Sequence, residues 1–175
     1  ALALGTLSLN AQTATYRMTV NKERLLNAQN EPQNWLMMNG DYGSMRYSKL
    51  TQINRDTVTH LTLAWTARLG NTSAGAILGG EGKGDFPIPP PAVKGSILEV
   101  GGVIYVTTPD HTWAMDARDG RELWHYFWKT RGGTHIASRG AAIWNDSLLF
   151  ETPDNYLVSL DARTGKGNWH VEIAS

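Results

Sequence analysis

An all-β chain assembled from repeated four-stranded antiparallel units is what the 175 residues predict, and three observations predict it. A motif occurs twice: Ala114-x-Asp116…Gly120…Trp124 returns as Ser159-x-Asp161…Gly165…Trp169, the tryptophans 45 positions apart. Each copy follows a short apolar run closed by Thr-Pro-Asp, Val103–Asp110 and Leu148–Asp154. Turn, glycine and tryptophan therefore recur together at the period of about 40–50 residues that marks a β-propeller blade. Propellers close with about four to eight blades, so two copies make an incomplete propeller and leave open strand edges. The chain is expected to be the N-terminal piece of a longer protein; the alternative is a small β domain that closes by itself.

Within the repeat, Trp113–Asp116 reads as a strand, Asp116–Gly120 as a turn and Arg121–Tyr126 as the returning strand. Aspartate at the turn can accept a hydrogen bond from its own backbone, and glycine supplies the positive φ of a tight exit. The tryptophan then lies on the return strand. There its ring can dock on the neighbouring blade while its N–H finds a carbonyl.

The remaining elements follow in chain order. Residues 1–20, beginning Ala-Leu-Ala-Leu-Gly-Thr-Leu, read as the remnant of a secretory signal peptide and leader, or else as a short apolar strand or helix start. Residues 21–60 form an entry segment of helix and loop. Asn21–Gln29 has helical character, with Asn21 as cap and Leu25 and Leu26 on one face, and Glu31-Pro32 ends it. Ile53–Leu61 is a second short helix or turn, and Leu61–Leu69 alternates like a strand. Gly70–Pro91 is a Gly- and Pro-rich connection of the kind that often lines a site. The first blades, in part, occupy 61–175.

Composition narrows the partners. Sixteen basic residues balance sixteen acidic ones without a long run of either sign, which speaks against nucleic acid or an anionic membrane surface. There is no cysteine, hence no disulfide framework and no thiolate metal site. No apolar run is long enough for a transmembrane helix. Gly80-Glu81-Gly82-Lys83-Gly84 matches a phosphate loop only in composition, because Ile77 and Gly84 stand where glycine and Ser/Thr are required. The histidines at 60, 111, 125, 135 and 170 lack zinc spacing; His125 and His170 follow the repeat tryptophans, which suits a structural role.

A second block is more specific than the repeat: Asn34-Trp35…Gly40-Asp41-Tyr42…Arg46-Tyr47-Ser48-x-Leu50-x-Gln52-Ile53-Asn54…Val58-x-x-Leu61-x-x-Ala64-Trp65. In it the chain resembles the N-terminal part of the pyrroloquinoline quinone (PQQ)-dependent alcohol and methanol dehydrogenases, periplasmic quinoproteins on an eight-bladed propeller. The likeness runs from about Glu31 to the end and covers about a third of such an enzyme. It implies PQQ on the propeller axis bound to calcium or a lanthanide, an alcohol substrate oxidised by hydride transfer, and a cytochrome as electron acceptor. It also implies a periplasmic location.

Residue by residue, the resemblance implies a cofactor-binding role for Arg139, because Ser138-Arg139-Gly140 matches the family's Asn-Arg-Gly. A planar guanidinium suits quinone oxygens; the plain alternative is a solvated loop arginine. The family's adjacent cysteine pair falls at Gly133 and Thr134, so that disulfide cannot form here. A family glutamate near the cofactor falls at Lys94, a cation that could pair with a PQQ carboxylate or stay a solvated loop lysine; Glu99 lies too far along to fill that place. Metal ligands and the catalytic aspartate come from later blades in the family, so no residue takes either role and this chain alone is expected not to turn over. The competing reading is a non-catalytic propeller scaffold that binds protein partners, or a degenerate quinoprotein.

Overall fold

The computed structural model describes residues 19–69, 77–78, 86–87, 93–129 and 138–174. Its core is a pair of four-stranded antiparallel sheets, each a meander in chain order. The first runs β3 (Leu98–Val100), β4 (Val103–Thr107), β5 (His111–Asp116) and β6 (Glu122–Phe127). The second runs β7 (Ala142–Trp144), β8 (Ser147–Glu151), β9 (Tyr156–Asp161) and β10 (Gly167–Glu172). A separate two-stranded ladder joins β1 (Ile77–Leu78) to β2 (Phe86–Pro87), within the Gly- and Pro-rich connection.

Cross-strand register decides which face each side chain takes. Leu98, Tyr105, Ala114 and Trp124 stand opposite one another across the first sheet. Together they pack on Ile143, Leu148, Phe150, Val158 and Leu160 of the second sheet in one buried cluster. Apolar burial of this kind contributes roughly 25 cal/mol per Å², and it stacks the two sheets face to face.

The hairpins behave as their sequence dictates. Asp116 Oδ1 accepts the Arg118 amide at 3.0 Å, and Asp161 Oδ1 accepts the Arg163 amide at 3.0 Å. Gly120 and Gly165 take φ of +72° and +70°. The glycines also make room. A Cβ on Gly165 would stand 2.6 Å from the Trp124 ring, and one on Gly120 would strike the Trp65 ring. Trp124 Nε1 donates to Ala162 O at 3.1 Å, and Trp65 Nε1 donates to Ala117 O at 3.1 Å. Each indole thus lies over a hairpin glycine and bonds a carbonyl of the same turn. Trp169, the third in the series, is 49% exposed.

The entry segment contains a helix shorter than its sequence suggests. Asn21 caps α1 (Lys22–Leu26), accepting the Arg24 amide through its side chain, and a 3₁₀ turn Ala28–Asn30 follows. Leu25 is buried, but Leu26 is 54% exposed, so the expectation that both share the packed face fails. Adjacent helical residues point about 100° apart, and Arg24 takes the other buried place, held by Glu31 at 2.5 Å. Residues 54–60 make the expected turn, ending in a 3₁₀ helix at Val58–His60. Residues 61–69 belong to no sheet among the described residues, although 65, 67 and 69 are partly buried in alternation. Ala67 and Leu69 pack on Val106, Trp113 and Met115 of the first sheet.

Candidate functional site

The two inner strands, β3 and β7, start side by side. Ser96 and Gly140 form a parallel bridge, and Ser96 N donates to Arg139 O at 3.1 Å. Only glycine permits this approach: a Cβ on Gly95 would collide with the Gly140 amide, and Gly140 itself takes φ +110°. Ser138 anchors the other side of Arg139. Its buried hydroxyl lies 2.8 Å from Thr107 Oγ1 and accepts the Gly140 amide at 3.3 Å. Arg139 is therefore gripped through its backbone while its side chain stays exposed.

Lys94 directly precedes Gly95, so the structure brings together the segments carrying Lys94 and Arg139, two sites 45 positions apart in sequence. Both side chains are exposed, and among the described residues neither meets a carboxylate. The two cations therefore stand on backbone segments that meet at the Ser96–Gly140 bridge. Gly133 and Thr134, the positions of the missing cysteine pair, lie outside the described residues.

Arg139 also rims a groove of about 910 Å³. Leu25, Leu36 and Met37 of the entry segment form one wall, and Ile143, Leu149 and Phe150 form another. Thr152 and Asn155, from the β8–β9 hairpin, supply polar groups at its margin. Thr152 Oγ1 donates to Asp154 Oδ1 at 2.6 Å, and the Trp128 indole donates to the same oxygen at 2.9 Å. Lys94 is absent from the groove lining. The cleft is mostly apolar, and its lining carries one charge of each sign, Arg139 and Glu151.

Sequence reasoning missed Thr152 and Asn155 as groove residues. The second Thr-Pro-Asp was legible as the close of an apolar run, and its recurrence at a fixed place in each repeat was the signal that could have marked that hairpin. The groove's apolar wall came from the entry segment, whose helical pattern gave no indication of the surface it would face. Glu99 is accounted for elsewhere: its backbone pairs with Trp35, and its Oε1 accepts the Gly102 amide at 2.7 Å. Burial pushes its carboxyl above the ordinary value, against the pull of that amide and of Arg24. Among the described residues no group of three or more His, Asp or Glu could hold a metal ion. His125 and His170 both pack on aromatic rings, His125 on Trp113 at 5.0 Å and His170 on Trp128 at 5.2 Å.

Comparison with known proteins agrees with this geometry. Residues 35–170 match the family model described as PQQ: glucose/ethanol/alcohol dehydrogenase, beta-propeller domain. The dehydrogenase subunit of a quinone-dependent alcohol dehydrogenase from Gluconacetobacter polyoxogenes is 35% identical, over 85% of this chain and 19% of its own length. A lanthanide-dependent methanol dehydrogenase from Methylorubrum extorquens is 32% identical, over 97% of this chain and 27% of its own. The solved quinohemoprotein alcohol dehydrogenase ADHIIG of Pseudomonas putida HK5 superposes with a TM-score of 0.71 at 29% identity, covering 90% of this chain and 21% of that one. This chain thus spans roughly a fifth to a quarter of the proteins it resembles. With the match spanning both sheets and the entry block, the chain belongs to the PQQ glucose/ethanol/alcohol dehydrogenase β-propeller family.

Proposed function

We propose that this chain is the N-terminal part of a periplasmic PQQ-dependent dehydrogenase that oxidises an alcohol and passes the electrons to a cytochrome-type acceptor. The observation that carries the reading is the pairing of the Lys94 and Arg139 segments at the inner strands, beside an apolar groove that Arg139 rims. PQQ is a planar, polycarboxylate quinone, and two exposed cations without counter-ions beside an apolar wall suit such a group. When bound with calcium or a lanthanide, it supplies the hydride acceptor for alcohol oxidation. Its metal ligands are expected from parts of the protein beyond this chain.

The chain's own residues would hold that group rather than react. Arg139 presents several N–H donors in a fixed plane, which favours bidentate contact with carboxylate or quinone oxygens. Ser96 N holds its carbonyl and the Ser138–Gly140 bond closes the turn around it, so the backbone from which the side chain reaches a ligand is already fixed. Lys94 adds a more mobile point charge for a second carboxylate. Leu149, Phe150 and Met37 exclude water from one side, which strengthens every charged contact made there.

The test uses the full-length protein stripped of cofactor. Titration with PQQ, followed by the quinone's absorbance, is expected to give saturable binding. Arg139→Ala should weaken that binding about 10²-fold, the effect of losing a charge-assisted hydrogen bond of about 1.5–3 kcal/mol. It should abolish PQQ-dependent dye reduction while the circular dichroism stays unchanged. Wild-type affinity and activity in Arg139→Ala would remove this residue from the cofactor site.

A further inference from the structure

A cluster of titratable groups stands on the far face of the first sheet, outside the groove. His111 and His125 are diagonal neighbours on β5 and β6, where His111 is paired with Phe127 and Trp113 with His125. His111 Nδ1 lies 2.8 Å from His125 Nε2. The ring centroids are 5.0 Å apart, about the N···N distance plus two ring radii of roughly 1.1 Å, so the N···N axis runs almost straight through both rings. An N–H of one ring therefore points at the lone pair of the other. That arrangement holds a shared proton; a chelated metal ion would need the two lone pairs to converge on a third point.

The other nitrogen of His111, Nε2, faces Asp110 Oδ1 at 3.7 Å. Asp110 is only 3% exposed, and that oxygen has no hydrogen-bond partner. Burial lowers the pKa of His111 against the attraction of Asp110, and His125 lowers it further. Burial raises that of Asp110, against the pull of both imidazoles. Ala67 and Leu69 are among the apolar residues packed on this face. Among the described residues the titratable groups in contact here are Asp110, His111 and His125, and His170 packs on the Trp128 ring from the second sheet. His125 is exposed and His111 nearly buried, so solvent reaches the unit at one end only.

The cluster sits at the last rung of β5–β6. Immediately beyond it the Trp128 amide donates to Asp110 O at 2.8 Å, and the Trp128 indole donates to Asp154 Oδ1, which also receives Thr152. Trp128 is thus held from both sides: its amide by the carbonyl of Asp110, the residue next to His111, and its indole by Asp154 of the hairpin at the groove margin.

We propose that Asp110, His111 and His125 form a pH-sensitive latch that holds Trp128, and through it the Thr152–Asn155 hairpin, and that opens when both imidazoles are protonated. One extra proton on the pair leaves the N–H···N bond intact. A second sets two N–H groups against each other at 2.8 Å and breaks the bond. The sign follows from the depressed pKa: the latch is closed above the ordinary imidazole range and opens as pH falls through the lower value that His111 has in the fold.

The experiment is amide hydrogen exchange on the full-length protein, corrected for the intrinsic pH dependence of exchange. Between about pH 7.5 and pH 5, protection of the Trp128 amide should fall about tenfold, while amides in the middle of β4 and β8 stay constant. His111→Gln and His125→Gln cannot form the shared-proton bond. Each should show the reduced Trp128 protection already at neutral pH, with the pH response flattened. Equal Trp128 protection at both pH values in the wild-type protein would overturn the latch, and so would a wild-type pH response in His125→Gln.

Discussion

Replacing Gly165 by alanine probes the contact that joins the two sheets. The added Cβ would lie 2.6 Å from Cδ2 and Cε3 of Trp124, and the backbone there has φ +70°. A left-handed conformation costs a non-glycine residue about 1–2 kcal/mol. Forcing a well-packed indole aside costs about 1–3 kcal/mol. Displacing it also strains the Trp124–Ala162 hydrogen bond, worth about 1 kcal/mol. Together these give roughly 3–6 kcal/mol of local destabilisation, or about 10²–10⁴-fold faster exchange of the hairpin amides. The amides to follow in the full-length protein are Gly165, bonded to Asp161 O, and Asp161, bonded to Lys166 O. Gly167→Ala is the control, because a Cβ there meets nothing within 4 Å; it should change exchange by less than about 0.5 kcal/mol. In a Trp124→Ala background the steric share of the Gly165→Ala effect should vanish and the φ share remain. Equal exchange in Gly165→Ala and Gly167→Ala would refute the claim that the indole occupies the space above the glycine.

Two further outcomes test the same joint. Tyr105→Phe removes the hydroxyl that donates to Ala162 O at 2.9 Å; because Trp124 still serves that carbonyl, the loss should be only about 1 kcal/mol in the exchange of the Ala162 turn. Asp161 should lend stability that fades in acid. Burial alone would raise its carboxyl, but the Thr164 hydroxyl and amide and the Arg163 amide more than offset this and hold it below the ordinary 3.8. A depressed folded value means the contribution is complete above the ordinary carboxylate range and is lost as pH falls through the folded pKa. Thr164→Val should move the Asp161 carboxyl upward in a ¹³C NMR titration, and an unmoved titration would show that the hydroxyl does not set it.

Much of the fold was legible because its signals are local. Asp116, Gly120 and Trp124 lie within nine consecutive residues, and turn chemistry and strand alternation act over that range. The α1 cap at Asn21 was legible for the same reason. Leu26 was misjudged because helical character alone does not say which stripe of a short helix is covered, and Arg24 with Glu31 took the place next to Leu25. Residues 61–69 show the opposite limit: their alternation was visible, but a strand needs a partner, and pairing is not a local property. The site divides in the same way. Arg139 could be singled out by its match to a family motif, whereas the groove it rims is made by the entry segment and the second sheet, far apart in the chain. No window of sequence contains that juxtaposition.

The entry segment has a consequence for the order of events during synthesis. Val20 exchanges hydrogen bonds with Asn145, Trp35 does so with Glu99, and Thr19 reaches Asp146, 127 residues further on. The first described stretch of the chain is thus a strap across the inner strands of both sheets. It cannot take its place until the second of them has left the ribosome. At about 5–20 residues per second, the strap waits on the order of ten seconds while the β-hairpins, which form in microseconds, assemble first. Leu25, Ala28 and Leu36, which end up covered, cannot reach their docked places before then. Selection on this segment is therefore expected to act on its solubility while it waits as well as on its fit once docked, and its charged residues Lys22, Glu23 and Arg24 stand beside the first of those apolar side chains.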